Sequence, residues 1–127
     1  MAGKSSVKTH LLKPRLRVVC GKTIALGPGK AELLALVLKT GSLKEAARRL
    51  NMSYMRAWTL VKMMNKCFRK PVVVAERGGK SGGGMKVTKT GRRALALYRE
   101  MESAALKSSA SSWRRLQQLL TPPRACA

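Results

Sequence analysis

From Arg15 onward the chain alternates: Leu16, Val18 and Cys20 fall on one side, and Arg15, Arg17 and Val19 on the other. A period of two is the signature of a strand, whose successive side chains point to opposite faces. Gly21-Lys22 supplies a two-residue turn, because glycine accepts the positive φ that such hairpins need, and Ile24 and Leu26 resume the alternation. The pattern therefore predicts an N-terminal β-hairpin. Gly27-Pro28-Gly29 ends it and opens a helix, in which Leu33, Leu34, Val37 and Leu38 recur at helical spacing until Gly41 stops it. Ser42 caps a short second helix, with Glu45 at the capping-box spacing and an end near Leu50-Asn51. Ser53 caps a third helix, running to about Cys67 or Phe68.

Pro71 follows, and Val72 to Ala75 read as a buried strand. A glycine-rich basic loop, Arg77 to Gly84, leads to a second short strand at Met85 to Val87. Thr88 starts a long last helix that reaches about Lys107; Ser108 to Ser112 read as a linker, and Trp113 to Leu120 as two helical turns ended by Pro122-Pro123. The expected fold is mainly α with small β. It is a winged helix-turn-helix with an N-terminal β-hairpin, a Gly-rich wing and a long C-terminal helix. The organisation that follows is a flexible basic arm (1–14), the winged domain with its C-terminal dimerisation helix (15–107), and a Ser-rich linker and short tail (108–127).

Charge adds a partner to this picture. Lys and Arg number 27 against 5 for Asp and Glu, a net +22 with a pI near 11.4. Before Glu100 the acids are Glu32, Glu45 and Glu76, so the two signs are not interspersed as on an ordinary solvated surface. Repulsion on this scale disfavours the compact state unless a polyanion is present. Nucleic acid is the first partner implied, and an anionic membrane surface the second. The longest apolar run, Leu33 to Leu38, is far too short to span a bilayer. Residues 1–14 lack the apolar stretch of a secretory signal, so a cytoplasmic location is expected. Cys20, Cys67 and Cys126 are odd in number and have no C-x-x-C spacing; they read as reduced thiols, with neither a disulfide framework nor a zinc site. With only 4% aromatic residues, the core must be made of Leu, Val, Ala and Met.

Within this frame, Leu43 to Lys62 fits a helix-turn-helix. Ala46 and Ala47 are small, as a close crossing of the second and third helices requires. Asn51 stands at the sharp turn, where left-handed geometry is wanted and Asn is second only to Gly. On a wheel of the third helix, Ala57, Leu60, Val61, Met64 and Phe68 form one face, while Met55, Thr59, Lys62 and Lys66 lie opposite, with Arg56 on the flank. In this motif the third helix lies in the major groove and its N-terminal residues meet base edges. Base readout is therefore expected of Ser53, Tyr54, Met55, Arg56 and Thr59, with Arg56 placed for bidentate contact to guanine. Tyr54 is equally suited to a phosphate through its hydroxyl, and Trp58, between the two faces, reads as a packing residue.

Phosphate contact is expected of Lys62, Lys66, Arg77, Lys80 and Lys86. Gly78, Gly79, Gly82, Gly83 and Gly84 let the wing backbone approach a phosphate or the minor groove without Cβ clashes. The bland counterparts are a helical hairpin with a solvated basic face and a surface loop that binds nothing. On the last helix, Ala94, Leu97, Tyr98, Met101, Ala104 and Ala105 form a stripe. Part of it suits the core, and Leu97, Tyr98, Met101, Ala104 and Ala105 suit a second copy of the chain.

An enzyme is disfavoured. Gly21-Lys22-Thr23 and Gly79-Lys80-Ser81 end like P-loops, but the glycine needed five positions earlier is Leu16 in one and Val74 in the other. The one histidine, His10, lies in the arm, and no acids are paired for proton transfer. No catalytic residue, metal ligand or cofactor is expected. The stronger rival is a sequence-neutral nucleic-acid-binding protein, nucleoid-associated or RNA-binding, which the excess charge equally suits.

Several stretches, in matching order over residues 15–105, resemble the DNA-binding domain of the molybdate-responsive ModE regulators. They are Leu26 to Leu34, Thr40-Gly41-Ser42-Leu43 with Ala46-Ala47, Met52-Ser53-Tyr54 with Arg56-Ala57-Trp58, and the glycines from Gly78 to Gly84. The resemblance, shared more distantly with LysR-type winged helices, implies a dimeric bacterial transcription factor, often a repressor, that contacts double-stranded DNA through the helix starting at Ser53 and through the wing. ModE regulators bind molybdate in a separate C-terminal module. The resemblance therefore places no molybdate site on any residue here, and it leaves two readings open: sensing through a separate partner chain, or no sensing at all.

Overall fold

The computed structural model describes residues 10–76 and 84–122. Across them run β1 (Val18–Cys20), β2 (Thr23–Leu26), α1 (Pro28–Thr40), α2 (Leu43–Arg49), α3 (Tyr54–Cys67), β3 (Val73–Glu76), β4 (Gly84–Val87) and α4 (Lys89–Gln117). This is a mainly helical winged-helix fold with two small antiparallel sheets, β1–β2 and β3–β4. Arg15–Glu100 is one compact unit, and the described residues 10–14 and 101–122 belong to a second.

Local signals set the element boundaries of the first unit. Gly21 holds a φ of +63° in the hairpin turn, and β1 pairs β2 with an irregularity between Val18 and Val19. Pro28 opens α1, where its fixed φ suits the helix and its missing N–H costs nothing. Gly41 closes α1 in the left-handed region (φ 70°), its N–H donating to the Val37 carbonyl. The Ser42 hydroxyl accepts the Glu45 N–H at 3.0 Å, which is the cap read from sequence. The reciprocal half of a capping box is replaced: the Ser42 N–H goes to Thr40 Oγ1, and the Glu45 carboxylate goes to Arg48 and Arg49. Thr88 caps α4, its Oγ1 accepting the Gly91 N–H at 3.0 Å and donating to the Pro71 carbonyl.

The core lies where α1, α2 and α3 meet the start of α4. Leu33, Leu34, Val37, Leu43, Val61, Met64 and Val72 are all at most 1% exposed. Ala46, Ala47 and Ala57 fill the α2–α3 crossing, where larger side chains would force the helices apart. Leu38, on the edge of the α1 stripe, is exposed. Gly91 brings α4 against the strand segment: a Cβ there would overlap the Val72 carbonyl oxygen and lie 2.7 Å from Val87 Cγ1.

Two expectations for the last helix are corrected. Tyr98 does not face outward with Leu97; it is 1% exposed, and its hydroxyl donates to the Leu16 carbonyl at 2.8 Å. Adjacent helical residues are about 100° apart, and on α4 that step puts Tyr98 on the inner side and leaves Leu97 exposed. The inner stripe is instead Gly91, Leu95 and Tyr98. Second, Ser108 to Ser112 are helical, because α4 continues without a break to Gln117. The Ser109 hydroxyl donates back to the Ala105 carbonyl at 2.6 Å, so the serine is accommodated within the helix. Arg114 and Arg115 in the last turn also complement the helix dipole. In the second unit Leu106, Leu116, Leu119 and Leu120 are exposed, and the chain leaves α4 through turn bonds from the Leu119 and Leu120 N–H groups to the Leu116 and Gln117 carbonyls.

Candidate nucleic-acid interface

The turn before α3 decides where that helix points. Asn51 is the one non-glycine with positive φ among the described residues (54°). The Met52 N–H returns to the Ala47 carbonyl at 3.0 Å, fastening the turn to α2. Ser53 follows in extended geometry, and its hydroxyl accepts the Arg56 N–H at 3.0 Å. Ser53, expected as a base reader, is thus also the cap that starts the helix.

From this start α3 sorts into faces. Ala57, Val61 and Met64 are buried, with Leu60 and Phe68 packed partly against the core. Opposite them Met55 is 70% exposed, and Thr59, Lys62 and Lys66 continue the same exposed row. Tyr54 and Arg56 are exposed on the two flanks. The Thr59 hydroxyl donates to the Met55 carbonyl at 3.0 Å, and the Lys62 ammonium stands 5.5 Å from the centroid of the half-buried Trp58 ring. Arg56, Lys62 and Lys66 have no acid partner among the described residues. Glu45, the acid of the motif, is engaged within α2 by Arg48 at 2.6 Å and Arg49 at 2.8 Å. Their hydrogen bonds hold its carboxyl down to about pKa 2. The exposed side of α3 therefore presents hydroxyls, a thioether and uncompensated cations.

The wing base is fixed to the same helix. Asn65, on α3, accepts the Val72 N–H through Oδ1 at 2.8 Å and donates from Nδ2 to the Val73 carbonyl at 3.0 Å. The Met85 N–H bonds the Gly41 carbonyl at 3.1 Å, tying β4 to the α1–α2 junction. Lys86 is exposed on β4 opposite Val74, and Gly84 pairs with Glu76 at the strand end. Arg77, Gly78, Gly79, Lys80, Gly82 and Gly83 lie outside the described residues. Of the residues assigned to a second copy, Leu97, Met101 and Ala104 are exposed, Ala105 is half-buried and Tyr98 is interior.

Sequence periodicity missed two features. One is the Asn65 clamp, which no local pattern announces. The other is a groove of about 480 Å³ between the β1–β2 hairpin and α3, lined by Arg15, Arg17, Lys22, Lys30 and Arg56 among others. Lys30 is 7% exposed and donates to the Ile24 carbonyl; burial lowers its pKa, with Cys67 opposing the shift. Cys67 in turn is pushed up, first by burial and then by a hydrogen bond with Cys20; both are free thiols. Among the described residues no three of His, Cys, Asp or Glu gather as metal ligands would, and no helix is long and apolar enough to cross a membrane.

No family model matches the chain. Individual proteins do. It is 40% identical over 82 residues to the molybdenum-pterin-binding protein MopB of Rhodobacter capsulatus, covering 65% of this chain and 30% of that protein. It is 38% identical over 78 residues to the molybdenum transport protein ModE of Azotobacter vinelandii, covering 61% of this chain and 29% of the relative. With the DNA-binding transcriptional dual regulator ModE of Escherichia coli K12 it shares 34% over 71 residues, 56% of this chain and 27% of the relative. The matched stretch thus spans less than a third of each of these relatives.

Proposed function

We propose that this chain is a sequence-specific, double-stranded-DNA-binding regulator of the ModE kind, with α3 in the major groove and the wing on the backbone or in the minor groove. The observation that carries the proposal is the α3 face: a capped helix, anchored by Ala57, Val61 and Met64, whose opposite side is exposed and cationic with no acid partner among the described residues. In this reading Ser53, Tyr54, Met55, Arg56 and Thr59 meet base edges. Lys62, Lys66, Lys86, Arg77 and Lys80 neutralise phosphates, and Gly78 to Gly84 give the wing its close approach. The likeness to proteins named as molybdenum transport and transcriptional regulators supports control of molybdenum-related genes; repression and a cytoplasmic location are part of the proposal. Residues 15–107 form the DNA-binding domain in this proposal. Two copies join through Leu97, Met101, Ala104 and Ala105 on α4, so half-sites fall about one helical turn apart. No residue here is assigned to molybdate, to catalysis or to a cofactor.

Selection of bound duplexes from random sequence at fixed salt tests the proposal. The expected outcome is an enriched, near-palindromic motif, bound about 10³–10⁷ times more tightly than scrambled DNA. Arg56→Ala should relax preference at one motif position, at a cost of about 1–3 kcal/mol, more than it changes the salt dependence. The net charge of +22 equally suits a sequence-neutral nucleic-acid binder, and a selection returning no motif would favour that reading instead.

A further inference from the structure

Arg15 and Arg17 stand just before β1, and Lys22 stands in the hairpin turn; all three are exposed and none has an acid partner among the described residues. Together with Arg56 they line the groove between the hairpin and α3. Among the described residues no carboxylate and no aromatic ring lines it, so these offer nothing to pair with a cation and nothing on which a base would stack. Lys30 is buried and its ammonium is already bonded to the Ile24 carbonyl, which leaves the exposed cations as the groove's recognition chemistry. Arg56 also belongs to the N-terminal turn of α3, so the groove is continuous with the face assigned to base readout.

We propose that this groove seats the sugar–phosphate backbone of the duplex that α3 reads, with Arg15, Arg17 and Lys22 as a second set of phosphate contacts on the side of α3 away from the wing. The inference rests on the DNA-reading proposal and extends it. The α3 helix would then be flanked by two backbone clamps, the wing on one side and the hairpin on the other. Charge complementarity favours a polyanion: each phosphate neutralised releases counterions, and contacts to phosphates position a duplex without reading its sequence. Continuity with α3 favours the backbone of the same duplex over a free anion.

The test is a full-length R15Q/R17Q/K22Q variant, which keeps the side-chain stems and removes charge from exposed positions. Its thermal melt should stay within a few degrees of the wild type. Affinity for the selected duplex and for a scrambled one is then measured across a salt series, with a hydroxyl-radical footprint of each protein. The expected result is a log–log salt slope flatter by about 2–3 units, at about 0.9 per lost phosphate contact. Both duplexes should weaken in equal proportion, and protection should shorten on one flank. An unchanged slope and footprint, with wild-type DNA binding intact, would overturn the groove's role and leave the α3 reading standing. Saturable binding of inorganic phosphate by the wild type, lost in the variant while the salt slope holds, would also overturn it, making the groove a small-anion site. A wild type that binds no duplex would sink both proposals together.

Discussion

Asn51 holds the left-handed conformation that turns the chain sharply from α2 into α3, with φ at 54°. In that region a Cβ crowds the carbonyl oxygen, at a cost of about 1–2 kcal/mol for ordinary residues and more for branched ones. Glycine escapes the clash, while asparagine tolerates it through its short polar side chain. Asn51→Gly should therefore be as stable as the wild type within a few tenths of a kcal/mol, whereas Asn51→Val should lose about 1–2 kcal/mol or more in urea unfolding. A valine variant of undiminished stability would show that the turn is not left-handed. The position was legible in the sequence because its requirement is local: one residue type answers one backbone geometry. Ser42, Ser53 and Gly41 were legible for the same reason, each satisfying or terminating a helix end through a partner within four residues. Ser108 to Ser112 misled for the complementary reason. Serine's weak helix preference is an average over contexts, and at Ser109 a back-bond to Ala105 lets the residue sit within the helix.

At the scale of elements, what escaped the sequence is what depends on packing between segments. The wheel of α3 was legible because a helix repeats its faces without help. The stripe on α4 was not: it grouped Leu97 with Tyr98, and only the approach of α4 to the strand segment decides that Tyr98 and Leu95 turn inward. Gly91 is the residue that allows this approach. Within a helix, glycine is about 1 kcal/mol worse than alanine, so propensity alone says that Gly91→Ala should stabilise the protein. The fold says the opposite, because the added methyl would overlap the Val72 carbonyl oxygen and press on Val87 Cγ1. Overpacking costs about 1–3 kcal/mol, and here the obstacle is backbone that cannot swing away as a side chain would. Chemical denaturation should show Gly91→Ala destabilised by a net amount of up to about 2 kcal/mol. A more stable variant would mean that α4 sits further from the strands than described. The hairpin groove was illegible for the same cause as the α4 stripe: residues 15–30 and 52–63 meet only in three dimensions.

For the whole molecule the governing number is +22, and its consequence differs with and without a polyanion. Alone, the folded chain holds 27 basic side chains closer together than the unfolded chain does, so repulsion opposes folding. Salt screens it, over about 10 Å at 0.1 M. The two ion pairs of Glu45 are screened as well, but they are surface pairs within one helix and contribute little against that repulsion. The melting temperature of the free protein should therefore rise between about 20 and 200 mM potassium chloride, a salt chosen to act by screening rather than by exclusion from the surface. Over the same range affinity for a duplex should fall, by about 10³–10⁵ between 50 and 200 mM if 6–10 phosphates are contacted. At low salt a stoichiometric excess of duplex should raise the melting temperature, because binding to the folded state alone stabilises it in proportion to the logarithm of free ligand over Kd. The two salt responses thus have opposite signs, which is the pattern expected of a charge matched to a polyanion partner. A free protein whose melting temperature fell with salt would place its stability in ion pairs, and duplex affinity insensitive to salt would remove the backbone from the interface.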